Sequence, residues 1–235
     1  MHRILAFAFL AAFWAVAPLG ASATPITVPS GLNPGDQYRL AFVTSATTQA
    51  TSHDLIFYNN FVTMVANSNP TLAAMGTGWA AIASTAYSAI DNTNTDPSVP
   101  GYPIYNLAGN LVASSNHALW GTYGAHSTSL ISPINIMETG EQTSITTVWT
   151  GTYPYGIGAG VDGSPTLGAL DALLGNPQKT SSFWMNADLL VPTTGQHSMY
   201  ALSDVLTVPT PEPSTFALAA CGLTGLAAWA WRRKR

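Results

Sequence analysis

Residues 38–65 read YRLAFVTSATTQATSHDLIFYNNFVTMV. The first part, Tyr38 to Ser45, is rich in aromatic and β-branched residues and reads as a strand. Asn33-Pro34-Gly35-Asp36 turns the chain into it, since proline suits the second turn position and glycine tolerates positive φ. Beyond a polar stretch, Leu55, Tyr58, Phe61, Val62 and Val65 recur at helical spacing and define one apolar face. Thr51 or Ser52 is the expected N-cap, with Asp54 in the first turn near the positive end of the helix dipole. A strand feeding an amphipathic helix, then short strands separated by long loops, predicts an α+β domain.

The pattern continues outward from this stretch. Asn69-Pro70 opens a shorter helix ended by Gly76, and Trp79 to Ser84 reads as the next strand. From Ala89 onward helical periodicity fades, and residues 91–97 are expected as a polar loop. Residues 103–107 and 111–113 flank Ala108-Gly109-Asn110, a hairpin turn. Thr147 to Gly151 is a further short strand, and a glycine-rich run extends from there to Gly175. Ser182 to Met185 and Met199 to Ser203 close the domain. We expect short antiparallel strands, one or two early helices and no internal repeat. Residues 24–208 then form one domain of about 185 residues, long enough for a single sizeable core.

The two ends differ from this domain. Met1-His2-Arg3 is followed by an apolar run from Ile4 to Leu19 and by Ala21-Ser22-Ala23. That is the layout of a signal peptide over residues 1–23, cut after Ala23 so that the mature chain begins at Thr24. At the other end, residues 209–235 read PTPEPSTFALAACGLTGLAAWAWRRKR. Pro211-Glu212-Pro213 is stiff, because each proline fixes its own φ and holds its predecessor extended. Residues 214–231 carry no charge and would reach roughly 27 Å as a helix, just short of the roughly 30 Å hydrocarbon core. Arg232, Arg233, Lys234 and Arg235 would hold that end in the cytoplasm, leaving the N-terminal part outside. A buried core helix is a poor alternative, since it needs neither an all-apolar circumference nor four adjacent cations.

Charge and cysteine usage narrow the function. Between residues 24 and 208 ten carboxylates face only Arg39 and Lys179, a net charge of −8. Nucleic-acid binding requires clustered cations and is excluded as an expectation. The single cysteine, Cys221, lies in the apolar tail, so the domain must hold together by packing rather than disulfides. Four of the seven tryptophans, Trp79, Trp120, Trp149 and Trp184, lie between residues 24 and 208 and point to an ordered core.

The tail resembles the PEP-CTERM sorting signal of Gram-negative bacteria, in which Pro-Glu-Pro, an apolar span and a terminal arginine-rich cluster follow one another. The resemblance implies export through the secretion translocon, anchoring in the inner membrane with the N-terminus outside, and recognition by an exosortase. It makes Pro211, Glu212, Pro213 and the four terminal cations the sorting residues, and implies passage to the cell surface or an exopolysaccharide matrix. A second resemblance covers Tyr38 to Thr152. FVTS, WAAIAST, PIYNLAGNLVA, ALW, SPINIMETG and VWTGT occur in the order seen in C-type-lectin-like, endostatin-like domains of exported bacterial proteins. It implies that fold, without the calcium-dependent sugar motif, whose Glu-Pro-Asn type is absent here.

No constellation points to catalysis or to a cofactor. Gly156-x-Gly158-x-Gly160 lacks the strand-to-helix context of a phosphate loop, and Gly163 continues it without helix formers. Asn92-x-Asn94-x-Asp96 alternates oxygen ligands as a calcium loop does, but Pro97 sits where glycine is expected and no bidentate Glu follows. His53, His117, His126 and His197 have no metal-ligand spacing. Glu138 and Glu141 lie together in one loop, and no G-x-S-x-G elbow is present. We therefore expect a non-enzymatic exported protein, with a carbohydrate-binding module or a secreted hydrolase as alternatives. Of Trp79, Trp120, Trp149 and Trp184, most are expected in the core. If one of them is exposed to stack on a sugar ring, Trp120, beside a Gly/Ser-rich loop, is the preferred candidate.

Overall fold

Strand β1 (Gln37–Val43) lies near the centre of the sheet, buried from Tyr38 to Val43. The computed structural model describes residues 24–120, 129–158, 165–210 and 231–233. Chain order then gives α1 (Leu55–Ser68), α2 (Pro70–Ala73), β2 (Trp79–Ala81), α3 (Ala89–Thr93), β3 (Ile104–Asn106), β4 (Leu111–Ala113) and α4 (Asn116–Trp120). β5 (Val148–Trp149), β6 (Asp171–Gly175), a 3-10 turn (Ser182–Trp184), β7 (Leu189–Pro192), β8 (Ser198–Ser203) and β9 (Leu206–Thr207) complete the described elements. The result is mixed α/β with a core made mostly of sheet.

The strands run β4-β3-β1-β8-β5-β6-β7 across the sheet, with β2 also on β8 and β9 also on β1. Two pairings, β1 with β3 and β5 with β8, are parallel. This corrects the all-antiparallel expectation. Parallel neighbours require a long crossover, and α1, α2, β2 and α3 supply it between β1 and β3.

Side-chain alternation explains why β1 and β8 read as almost unbroken apolar runs. Tyr38, Leu40 and Phe42 of β1, with Met199 and Ala201 of β8, join Leu55, Tyr58 and Val62 of α1 in one core cluster. Ala41, Val43, Tyr200 and Leu202 point to the opposite face, into a second cluster with Ile104, Trp120 and Trp184. Both faces are covered, so period-2 polarity disappears from the sequence. Leu40, Phe42, Met199 and Leu202 are all fully buried, each stabilising the fold by about 1.5–3 kcal/mol.

Local expectations meet the structure unevenly. The N-cap of α1 is Asp54, whose Oδ1 accepts from Ile56 N at 2.8 Å, in place of the expected Thr51 or Ser52. Ser52 Oγ instead accepts from Asp54 N at 3.1 Å, one step earlier in the turn. Asn69 caps the start of α2, as the sequence predicts, but the helix ends at Ala73 with Ala74 as its C-cap, so Gly76, at φ +60°, lies two residues beyond that cap. The β3–β4 hairpin also forms, with Asn106 Oδ1 accepting from Ala108 N and Asn110 N, each at 3.1 Å. The loop expected over residues 91–97 is in part α3. Ser88 caps that helix by accepting from Asp91 N at 3.0 Å, a short-range signal too weak to show as periodicity.

Among the described residues no helix is long and apolar enough to cross a membrane. The expected span over 214–231 lies outside the described residues except for Trp231, which is exposed with Arg232 and Arg233. The signal peptide with Ala21 and Ala23, the loop from 121 to 128, and Pro211, Glu212, Pro213, Lys234 and Arg235 also lie outside them.

Candidate ligand pocket and sorting motif

The Arg39 side chain enters a small open pocket of about 130 Å³ from β1, and is one of only two cations between residues 24 and 208. It is 5 % exposed, so its charge must be satisfied locally. Nε donates to the Ser203 carbonyl and Nη1 to the Thr93 carbonyl, both at 2.7 Å. Thr93 ends α3, and carbonyls at a helix C-terminus lack intrahelical donors, so the guanidinium caps them. Burial pushes the Arg39 pKa down to about 10, while the charge of Asp204 pulls it upward. None of the described residues accepts from Nη2.

The rest of the pocket is built by the turn that follows α3. Asn94 takes the left-handed conformation at φ 50°, which asparagine tolerates better than most residues. Asp96 lies on the exposed side, and its carboxylate Oδ1 accepts from Ser98 N at 2.8 Å. That bond holds the Asp96 carboxyl below its ordinary value. Asn116, buried at the start of α4, donates from Nδ2 to the Asp96 carbonyl at 3.1 Å. Its amide packs over Gly101, where a Cβ would stand 2.0 Å from Asn116 Oδ1, so only glycine leaves room there. Half-buried Tyr102 completes the polar lining, with Val99 and Val205 exposed at the rim.

Trp120 stands behind this wall rather than in front of it. It is fully buried, and its Nε1 donates to Thr95 Oγ1 at 2.7 Å. Thr95 Oγ1 in turn lies 2.7 Å from Thr93 Oγ1. The indole thus braces the Thr93–Thr95 segment and packs against Trp184, centroids 5.9 Å apart. This corrects the expectation of an exposed stacking platform: the adjacent loop suggested exposure, but the apolar area of the ring is met by the second core cluster. Trp79, Trp149 and Trp184 are buried as well.

The other singled-out residues have structural roles. Asn92 exchanges amide bonds with Asn59 and donates to the Ala81 carbonyl at 2.7 Å, so it is turned away from any shared cation with Asn94 and Asp96. A Cβ on Gly156 (φ +81°) would lie 2.7 Å from Trp120 Cδ2, so that glycine serves close packing. Gly160 and Gly163 lie outside the described residues, as does His126. His197 Nδ1 is 3.0 Å from Thr147 Oγ1 and its ring meets Trp149 edge-on, while His53 packs against Gly168. Glu138 is buried and accepts from Ser45 N at 2.9 Å and from Ser45 Oγ, whereas Glu141 is exposed. Among the described residues no three His, Cys, Asp or Glu side chains converge as metal ligands. Sequence reasoning passed over Arg39 as a site residue, although a lone cation inside an apolar strand was a usable signal.

The pocket beside Arg39 lies between β1 and the turn after α3, whereas the sorting signal lies in the tail. Residues 209–234 match the family model of the PEP-CTERM protein-sorting motif. The chain is an exported protein with a C-terminal membrane-anchoring sorting signal, the substrate of an exosortase. No curated protein matches the chain.

Proposed function

We propose that the chain is a non-catalytic protein of the cell surface or exopolysaccharide matrix of a Gram-negative bacterium. Residues 214–231 hold it in the inner membrane with residues 24–208 outside, until an exosortase cuts near Pro211-Glu212-Pro213. The observation that carries this reading is the sorting motif over residues 209–234. The four cations after an uncharged span support the orientation. The tail is rich in alanine and glycine, which suits an anchor that is later released.

We also propose a C-type-lectin-like fold for the exported domain. Its support is the placement of the resembling segments: FVTS ends β1, WAA is β2, PIYN and LVA form the β3–β4 hairpin, ALW closes α4 and VW is β5. An experimental structure of different topology would remove it.

Cells with and without the exosortase test the sorting reading. In wild-type cells the mature protein should lose the mass of its tail and leave the inner membrane. In the deletion strain, and for Glu212→Ala, it should stay full length and membrane-bound. Unchanged tail mass and location in all strains would overturn the proposal.

A further inference from the structure

We infer that the Asp96–Pro97 peptide bond is a self-cleavage site, cut in mild acid by the Asp96 side chain to leave a domain of two associated pieces. This is the only Asp-Pro step in the chain, and its nitrogen would leave as a basic secondary amine. Three features of the fold set the bond apart from the same dipeptide in an unfolded chain. The Asp96 carbonyl oxygen accepts from Val99 N and from Asn116 Nδ2, each at 3.1 Å, which is where donors stabilise the oxyanion that forms when a carbonyl is attacked. The Asn116 amide is buried and held over Gly101, so that donor is fixed in advance. The Asp96 carboxylate is exposed but tied to the same turn by Ser98 N at 2.8 Å, and this bond keeps it ionised, hence nucleophilic, into mild acid. Lastly, the two sides of the bond are held unequally. Thr95 N donates to Ile90 O at 3.1 Å and Thr95 Oγ1 accepts from Trp120 Nε1, whereas Ser98, Val99 and Pro100 are exposed. The acyl side therefore stays in place while the released amine can move off.

In the step, a carboxylate oxygen of Asp96 bonds to the Asp96 carbonyl carbon. The bond from that carbon to the Pro97 nitrogen breaks, and the nitrogen takes a proton from solvent. Water then opens the cyclic anhydride to the two carboxyl groups of a C-terminal Asp96. The sum is hydrolysis of one peptide bond, a single event per chain. Because the leaving nitrogen needs a proton and the nucleophile must stay charged, the rate should climb as the pH falls from 7 and level off below the lowered Asp96 pKa. The neighbouring ionisable groups are Arg39 from β1 and Tyr102, which line the same pocket, Asp204, which acts on Arg39, and exposed His117 beside Asn116 on α4. Arg39, with its pKa at about 10, keeps its charge throughout this range. The cut falls between α3 and β3, inside the crossover between two parallel strands. β1 stays in the first piece and pairs with β3, β8 and β9 of the second, so the sheet holds both together. Residues before Pro97 nonetheless lose their covalent link to the sorting tail. The inference goes beyond the sorting reading and does not depend on it.

The test holds the full chain in detergent at pH 7, 5.5 and 4.5, with circular dichroism confirming the fold at each, and follows its mass under denaturing conditions. Acid should yield two fragments, one ending at Asp96 and one beginning at Pro97, together heavier than the parent by one water. The folded chain should cleave about tenfold or more faster than the same chain unfolded in urea at the same pH, as fixed oxyanion donors require. Asn116→Ala should remove most of that advantage in the folded chain and change nothing in urea. Pro97→Ala should suppress cleavage in both states. Should Asn116→Ala fail to fold, the comparison of folded and unfolded wild type decides alone. Absence of the fragment pair, equal rates in the folded and unfolded chain, or a folded Asn116→Ala that cleaves like the wild type would overturn the inference. Exosortase processing removes mass from the other end of the chain, so the two readings fail separately.

Discussion

The side-chain amides of Asn59 on α1 and Asn92 on α3 bind each other head to tail: Asn59 Nδ2 donates to Asn92 Oδ1 at 2.8 Å, and Asn92 Nδ2 donates back to Asn59 Oδ1 at 2.9 Å. Asn59 Oδ1 also accepts from Ala81 N at 2.8 Å, and Asn92 Nδ2 donates to Ala81 O at 2.7 Å. The pair therefore satisfies both backbone groups of Ala81 and joins two helices to β2. It also commits Asn92, the first residue of the Asn92-x-Asn94-x-Asp96 spacing, to partners on α1 and β2.

Asn92→Asp removes both donors of that amide and sets oxygen against oxygen. A loss of about 1–3 kcal/mol is expected, since partners in a part-buried network are left unsatisfied. For a domain of this size that lowers the melting midpoint by roughly 2–12 °C. Thermal unfolding followed by circular dichroism measures it. An unchanged midpoint, or one restored by calcium, would contradict the account.

Trp120→Ala should cost about 3–5 kcal/mol, the range for removing a large buried aromatic ring. Trp120→Phe keeps much of the packing against Trp184 but leaves Thr95 Oγ1 without its indole donor, so a smaller loss near 1 kcal/mol is expected. Denaturant titration of the two variants checks the order. Equal, negligible losses would mean that the ring is not in the core.

The central strand was legible because both of its faces are apolar, and the β3–β4 hairpin because Ala108-Gly109-Asn110 has turn chemistry. The sorting tail was the plainest signal, since it is a linear motif that needs no partner to be read. What remained hidden depended on distant pairing. Arg39 looked like an oddity in a strand until the fold brought Ser203 and Thr93 to its guanidinium across 164 and 54 residues. Trp120 was misread for the same reason, because its neighbour in sequence is a loop while its neighbours in space include Trp184 and Thr95. Helices of five residues, such as α3 and α4, are too short for periodicity to reveal.

Glu138 ties the 136–142 turn to the end of β1 through Ser45 N at 2.9 Å and the Ser45 hydroxyl. Removing the carboxylate in Glu138→Ala leaves both Ser45 donors without that acceptor. A loss of about 1–3 kcal/mol is expected for these charge-assisted bonds. Ser45 is exposed, so water can replace part of what is lost and the lower half of that range is the expectation. Amide hydrogen exchange at Ser45 should accelerate in Glu138→Ala relative to the wild type. Equal protection in both would show that the contact does not order this turn.

His197 gives the fold an acid-sensitive joint between β8 and β5. Burial holds its imidazole below the ordinary 6.5, beside the Trp149 ring and Thr147 Oγ1. In the unfolded chain the group returns to about 6.5. Between the depressed folded value and 6.5, the unfolded state thus binds more protons than the folded state. Lowering the pH through that window therefore favours unfolding. The stability contributed by the neutral ring is complete above 6.5 and is lost as the pH falls through the folded value. Melting midpoints recorded from pH 7.5 to 5 should decline toward acid in the wild type. His197→Gln keeps a polar contact for Thr147 but cannot titrate, so its profile should be flatter across the same interval. If the two profiles run parallel, His197 is not the residue that couples protonation to the packing of β5 on β8.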